Sequence, residues 1–240
     1  MPHRVLTLQE VCDFLHLPEN EVRRLAKFEE IPCFRNGDKL VFPKTELDAW
    51  ASTQLLGSKD KDLERFHKNS SRAKEHDLSE GHAFLHELLH PDCIEAEFHA
   101  KTKSSVVRGM AALAENSGYV YDPEELVRSL VEREEMRSTA LDMGVALLHP
   151  RHHAPYMFED SFVALAHSFQ PIGYGAPDGE QTDLFFLVCC QADNIHLHVL
   201  ARISMMCIKT NVLAELREAE TAREMREVVL RSEEEIIKKL

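Results

Sequence analysis

The sequence contains no apolar run close to the roughly 20 residues that a membrane-spanning helix needs. Its first residues also lack the basic-then-apolar order of a signal peptide. We therefore expect a cytoplasmic protein. The six cysteines are scattered, apart from the adjacent pair Cys189 and Cys190, and no Cys-x-x-Cys pattern occurs. This spacing argues against a disulfide framework or a cysteine-based zinc site, so the cysteines are predicted to be reduced core residues.

Acidic residues outnumber basic ones, and the excess is confined to one part of the chain. The 240 residues carry a formal net charge of −13. Residues 1–75 contain 13 Lys and Arg against 13 Asp and Glu, whereas the remainder contains 15 against 28. This balance argues against non-specific nucleic-acid binding by the chain as a whole. The length and the asymmetry indicate two domains.

The N-terminal residues predict the order helix, helix, hairpin and helix. Thr7-Leu8-Gln9-Glu10 is a capping box that marks a helix start. Residues 19–28 predict a second helix with its basic side chains outward. Asn36-Gly37 favours a tight hairpin between strands at 33–35 and 39–42, and residues 43–52 predict the last helix.

Residues 5–52 resemble the excisionase or MerR-like winged helix-turn-helix family, whose pattern runs L-T-x-x-E-V-A, then V-x-R-L, I-P-x-x-R and F-x-x-x-E-L-D-x-W. The resemblance implies a small domain over residues 1–57 with duplex DNA as its partner. Because this unit carries little positive charge, we expect it to bind DNA only as part of a homodimer. The candidate DNA-binding residues are Arg23, Arg24, Lys27, Arg35 and Lys39.

Residues 58–83 are predicted to link two domains. The sizeable apolar residues between Gly57 and Gly81 are Leu63, Phe66 and Leu78, and the rest is mainly polar or charged. Such a segment is expected to bury little surface and to be flexible, with partial helix from 60 to 72.

Residues 84–240 alternate helices and strands in the manner of an α/β domain. Strands are predicted at 144–148, 161–167 and 182–189, with helices at 102–116, 123–132, 195–207 and at the C-terminal end. A mixed sheet flanked by helices fits this order. His149 follows the first of these strands, so we expect it at an exposed rim of the sheet.

The segment around His149 has the composition of a phosphoryl-accepting site. A neutral imidazole is a good nucleophile near pH 7 and can form a covalent intermediate. Guanidinium groups can neutralise the charge of a phosphoryl group. Arg133 precedes the strand and Arg151 follows the histidine by two residues.

Motifs across residues 84–238 resemble the type-2 enzyme IIA domains of the bacterial sugar phosphotransferase system, especially the fructose, mannitol and nitrogen-regulatory kinds. Their pattern runs R-E, S-T-G and G-[IV]-A-[IL]-P-H-x-R, as in residues 133–151, and continues with a D-G turn near Gly179 and H-[LI]-x-x-L-[AS] from His196. The resemblance implies that His149 accepts a phosphoryl group from an HPr-like phosphocarrier without any cofactor. It implies supporting roles for His196, Arg133, Arg151 and Thr139. The fusion to a helix-turn-helix then suggests that phosphorylation is coupled to transcription regulation.

Two other interpretations remain open. Leu148 and Ala140 stand where the family has proline and glycine, which leaves open a DNA-binding or partner-docking regulator whose enzyme IIA-like part no longer transfers phosphate. The second alternative is a metal site, although none is expected. Its ligands would come from one of two groups of histidines. The first group lies near the end of the strand before His149, and the second group of three would share one face of a helix if its segment is helical. These histidines are His149, His152, His153, His196 and His198, and His82, His86 and His90.

Overall fold

A computed structural model describes residues 4–57, 60–77, 85–151 and 156–238 of the chain. The N-terminal domain contains β1 (Val5–Thr7), α1 (Leu8–Leu15), α2 (Glu19–Lys27), β2 (Phe34–Asn36), β3 (Lys39–Pro43) and α3 (Lys44–Leu56). Thr7 caps α1 as predicted, because its hydroxyl accepts from the Glu10 amide and the Glu10 carboxylate accepts from the Thr7 amide. Gly37 has a φ of +61°, which the two-residue hairpin requires. β3 pairs with both β1 and β2 in an antiparallel sheet.

The polar segment after α3 forms a helix, α4 (Asp60–Asp77), that packs against the C-terminal domain. Leu63, His67 and Ser70 lie on one face of α4 and are buried. The expectation that this segment buries little was therefore wrong over these residues. Its buried face contains two polar side chains, which find partners on a helix far along the sequence.

The C-terminal domain is a mixed four-stranded sheet flanked by helices, as predicted. The strand order is β4-β6-β7-β5, with β6 antiparallel to β7 and both outer strands parallel to their neighbours. The sequence prediction missed the strand at Leu89–Glu95. The elements are α5 (Leu85–Leu88), β4 (Leu89–Glu95), α6 (Lys103–Glu115), α7 (Pro123–Met136), a 3₁₀ turn (Asp142–Gly144), β5 (Val145–Leu148), β6 (Phe162–Ile172), β7 (Thr182–Cys189), α8 (Asp193–Lys209), α9 (Val212–Glu218) and α10 (Ala222–Lys238).

Apolar residues cover both faces of this sheet. One cluster joins the sheet to α6 and α7 and includes Cys189, while a second joins it to α8, α9 and α10 and includes Cys190. The second cluster continues through α4 into the core of the N-terminal domain. Within the described ranges no single helix is long and apolar enough to cross a bilayer; only α8 and α9 together pass that test, and they are bent by 83°.

Candidate active site

His149 lies directly after β5 and is 2% exposed. The expectation of an exposed rim was therefore wrong. Leu148, at the position where the family pattern has proline, belongs to β5 and pairs in register with Leu187. The histidine is buried because α7 and α8 approach it within the domain, and α3 of the N-terminal domain packs on α8 nearby.

Two hydrogen bonds define the tautomer of His149. Its Nδ1 lies 2.9 Å from the Leu147 carbonyl oxygen, which can only accept, so Nδ1 carries the proton. Arg133 Nε donates to His149 Nε2 over 2.9 Å, so Nε2 carries the lone pair. Arg133 is buried, and this burial lowers the pKa of its guanidinium. Its Nη1 donates to the Arg137 carbonyl, which fixes the side chain beside the imidazole.

A second imidazole from α8 completes this cluster. The rings of His149 and His196 have centroids 4.9 Å apart, and His196 is also buried. His196 Nε2 also lies 3.4 Å from Ser52 Oγ of α3. The structure thus brings three of the sequence-predicted residues together, and adds a hydroxyl from the N-terminal domain.

Hydrogen bonds join the Thr139 and Arg151 side chains to glutamates of α7. The Thr139 hydroxyl donates to Glu134 Oε2 over 2.6 Å, and its carbonyl accepts from the Leu147 amide. Arg151 is half-exposed, and its Nη1 lies 3.4 Å from Glu132 Oε2. Thr139 therefore positions the loop beside β5, whereas the Arg151 side chain extends toward α7.

Sequence reasoning missed a buried group beside the site. Glu134 accepts from the Thr139 amide and hydroxyl and forms an ion pair of 2.8 Å with Lys103. The Lys103 ammonium lies 5.0 Å from the centre of the Tyr174 ring, and burial raises the pKa of the Tyr174 phenol. Glu134 could have been found, since it is the acid of the R-E pattern. Lys103 comes from α6, and nothing in the sequence linked it to the site.

The D-G turn supports the loop that leads into β5. Asp178 Oδ2 accepts from the Met143 amide over 3.0 Å, and Arg217 donates both to the Met143 carbonyl and to Asp183. Met143 has a φ of +70°, a conformation that disfavours residues other than glycine and asparagine. Ala140 is not among the described residues of positive φ. Its substitution for glycine therefore imposes no such strain.

The histidines proposed as alternative metal ligands do not form a cluster in the part of the chain that the structure describes. His82, His152 and His153 lie outside that part. The sequence prediction overlooked that His86-Glu87-Leu88-Leu89-His90 has the His-Glu-x-x-His order of zinc proteases. That motif needs one continuous helix, but α5 ends at Leu88 and His90 belongs to β4. No group of three His, Cys, Asp or Glu side chains that could bind a metal occurs among the described residues.

Two family models match this chain, one in each of its two domains. The family model described as "Phosphoenolpyruvate-dependent sugar phosphotransferase system, EIIA 2" matches residues 87–232. The chain belongs to this EIIA family. A helix-turn-helix domain model matches residues 5–55. Both domains suggested by the sequence motifs are thereby confirmed.

Several relatives resemble the EIIA domain. The nitrogen regulatory protein of Pseudomonas aeruginosa is 28% identical over 148 residues, which are 61% of this chain and 94% of that protein. The fructose-specific EIIABC component of the phosphotransferase system of Bacillus subtilis is 26% identical over 137 residues, 56% of this chain, but the match spans only 21% of its length.

Solved structures share the EIIA fold. The nitrogen regulatory protein IIA-Ntr from Neisseria meningitidis matches with a TM-score of 0.54 and 25% identity, over 60% of this chain and 97% of that one. IIA mannitol from Escherichia coli matches with a TM-score of 0.52 and 20% identity, over 59% and 98%. These matches show the fold of the EIIA domain.

The candidate DNA-binding residues of the helix-turn-helix domain are all exposed. On α2, Arg23 pairs with Glu19, and Arg24 pairs with Glu21 and Glu30. Lys27, also on α2, lies over the Phe28 ring. Arg35 and Lys39 lie on the β2–β3 hairpin. The carboxylates beside α2 reduce the positive potential that its arginines would present to a phosphate backbone.

Proposed function

We propose that His149 accepts a phosphoryl group on Nε2 from an HPr-like phosphocarrier, and that the phosphorylation state regulates DNA binding by the N-terminal domain. The observation that carries the proposal is the pair of hydrogen bonds at His149. The Leu147 carbonyl binds the Nδ1 proton, so the lone pair of a neutral imidazole is directed from Nε2 toward the Arg133 guanidinium. This is the protonation state that a histidine nucleophile needs.

In the transfer, His149 Nε2 first gives up the hydrogen bond that it accepts from Arg133 Nε. Its freed lone pair then attacks phosphorus while the P–N bond of the donor phosphohistidine breaks. The donor imidazole leaves with that electron pair, and His149 keeps its Nδ1 proton, which Nδ1 donates to the Leu147 carbonyl oxygen. The transition state spreads charge over three equatorial oxygens, so the protein contributes alignment and electrostatic stabilisation. Arg133 supplies the adjacent positive charge, and His196 supplies a second imidazole beside the reacting nitrogen.

The domain fusion supports a regulatory role over a sugar-transporting one, since both nitrogen regulatory and fructose-specific EIIA proteins are matched over most of their length. Here the EIIA domain is fused to a helix-turn-helix. A solved complex of Escherichia coli enzyme IIA mannitol with phosphorylated enzyme IIB mannitol supports a phosphorylated protein as the partner of this fold. We assign the phosphoryl donor here to a small HPr-like phosphocarrier because the chain belongs to the EIIA family of the phosphotransferase system.

Incubation of the 240-residue chain with phosphorylated HPr tests the transfer step. The expected result is one acid-labile phosphoryl group on the peptide that contains His149, seen by intact and peptide mass spectrometry. His149→Gln should abolish the label, and His196→Gln should slow transfer about 10²-fold, as loss of a positioned donor does in comparable sites. His99→Gln, an exposed histidine away from this cluster, is the control. Absence of labelling on the wild-type chain would favour the alternative of an EIIA domain that acts only in docking.

Selection of genomic DNA fragments tests the second half of the proposal. The unphosphorylated and phosphorylated chains should enrich a palindromic sequence to different extents. Arg23→Ala/Arg24→Ala should lose the enrichment and the steep salt dependence of binding. Arg108→Ala/Arg128→Ala removes the same charge from exposed positions on α6 and α7 and should behave as wild type. Equal enrichment in both phosphorylation states would contradict the coupling.

A further inference from the structure

The end of α3 lies against the phosphoryl-acceptor site. Ser52 is buried, and its hydroxyl contacts His196, whose ring centre lies 4.9 Å from that of His149. The next residues of α3 line a cavity of about 270 Å³ whose opposite wall includes Arg133 and Arg137 of the EIIA domain. The same short segment of the helix-turn-helix domain thus contacts both the second imidazole and the arginine-lined wall.

The helix that follows fixes this arrangement. α4 packs against α8, the helix that carries His196. Ser70 Oγ lies 2.9 Å from His198 Nδ1, and Arg202 Nε donates to His67 Nε2 over 3.3 Å. Leu63 of α4 is 1% exposed and belongs to the apolar cluster that includes α8. Apolar burial and buried polar contacts therefore both stabilise α4, and with it the end of α3, on the EIIA domain.

The covered site conflicts with the geometry of protein-to-protein phosphoryl transfer. A donor phosphohistidine must bring its phosphorus within about 3–3.5 Å of His149 Nε2, in line with the breaking bond. His149 and His196 are at most 2% exposed here. A donor protein can therefore reach Nε2 only after some covering segment moves. The end of α3 is the element from the N-terminal domain that lies against the site, and α4, in the segment between the domains, packs on α8 beside it.

We propose that the end of α3, residues 52–57, occupies the face on which the phosphoryl donor docks, so that docking of the N-terminal domain and phosphorylation of His149 exclude each other. This inference rests on the proposed function and specifies how the site is regulated. The Ser52 hydroxyl lies 3.4 Å from Nε2 of His196, the imidazole that the proposed function places beside the transferred phosphoryl group. Because linkage is reciprocal, whatever stabilises the docked domain slows phosphorylation, and phosphorylation favours release of the domain.

Chemical modification of His149 tests the covering without any phosphoryl donor. Diethyl pyrocarbonate acylates neutral imidazole nitrogens, and peptide mass spectrometry gives the rate at each histidine. Leu63→Asp places a charge in the α4 contact, whereas Lys68→Asp introduces the same residue on the exposed face of that helix. If the undocked state of the wild type is populated at about 0.1–10%, His149 should react at least about tenfold faster in Leu63→Asp. Lys68→Asp should match the wild type.

Phosphorylated HPr gives the second measurement. The transfer rate should rise by a similar factor in Leu63→Asp and stay unchanged in Lys68→Asp. Leu63→Ala is the milder variant should the aspartate disrupt the fold, and it should give an intermediate rate. His99, exposed in the same domain, reports misfolding if its modification rate also changes.

The two measurements separate the outcomes. Faster modification and faster transfer in the Leu63 variants support the proposal. Faster modification with no transfer in any variant rejects the proposed function but supports the covering of His149 by the docked end of α3. Transfer at equal rates in all variants, with equal modification of His149, overturns the proposal and leaves the proposed function intact.

Discussion

A buried ion pair between α8 and α10 gives a sharp prediction of stability. Arg202 Nη1 and Glu233 Oε1 are 2.8 Å apart, and their side chains are 6% and 4% exposed. The Glu233 carboxylate also accepts from the Leu85 amide through both oxygens, at 2.9 and 3.0 Å. Glu233 therefore neutralises a buried charge and satisfies a buried amide at the same time.

Removal of one partner of such a pair leaves an uncompensated charge and typically costs about 3–5 kcal/mol. Glu233→Gln retains a carbonyl oxygen that can accept one hydrogen bond, so we expect a cost of about 3 kcal/mol. At about 2–4 °C per kcal/mol for a domain of this size, the midpoint should fall by about 6–12 °C. The matched control is Glu227→Gln, which breaks the exposed Arg223–Glu227 pair on the same helix and should cost less than about 0.5 kcal/mol.

Thermal unfolding followed by two signals measures this effect. Far-UV circular dichroism reports both domains, whereas fluorescence of Trp50, the only tryptophan, reports the N-terminal domain. The circular dichroism midpoint should shift in Glu233→Gln. Arg202→Leu/Glu233→Leu should lose less stability than Glu233→Leu alone, because no buried charge remains. A difference of 1 °C in the midpoint corresponds to about 0.3 kcal/mol in the free energy of unfolding. If the midpoints of Glu233→Gln and Glu227→Gln differ by less than that, the reasoning is refuted.

Three further predictions concern single residues. Gly144→Ala should destabilise the chain more than Gly118→Ala, although both glycines have positive φ. A Cβ at Gly144 would lie 2.7 Å from Arg217 Nη2, whereas nothing lies within 4 Å of a Cβ at Gly118. Equal melting midpoints of the two variants would contradict this. Burial lowers the pKa of His167 below its ordinary 6.5, so the unfolded chain binds a proton that the folded chain does not. The free energy of unfolding should then fall as the pH drops through about 6.5 toward the folded-state pKa of His167. His167→Gln should flatten this part of the profile of stability against pH, and an unchanged profile in the variant would exclude the effect. Cys33 is half-buried and the other five cysteines are buried. Burial raises the pKa of the Cys33 thiol, but its exposure should still make it react faster with a disulfide reagent in the native state than the other five. Cys33→Ser should remove this fastest phase, and several equally fast thiols in the wild type would contradict the prediction.

The sequence determined the local features of both domains. The capping box at Thr7, the Asn36-Gly37 hairpin and the apolar strands that end at Leu148 and Cys189 each depend on residues close in sequence. Short-range periodicity and turn chemistry therefore predicted these elements to within a few residues. The motif around His149 likewise predicted which side chain follows the strand and that Arg133 is near it.

Tertiary structure alone decided what packs on α8 beside the site. The buried face of α4 contains Leu63, His67 and Ser70 at helical spacing, but only one of them is apolar, so hydrophobic periodicity could not reveal it. Its partners His198 and Arg202 lie more than 120 residues along the chain. For the same reason, the contact between Ser52 and His196 was invisible in sequence. Polar burial is stable only when specific distant partners satisfy it, and the three-dimensional fold supplies those partners.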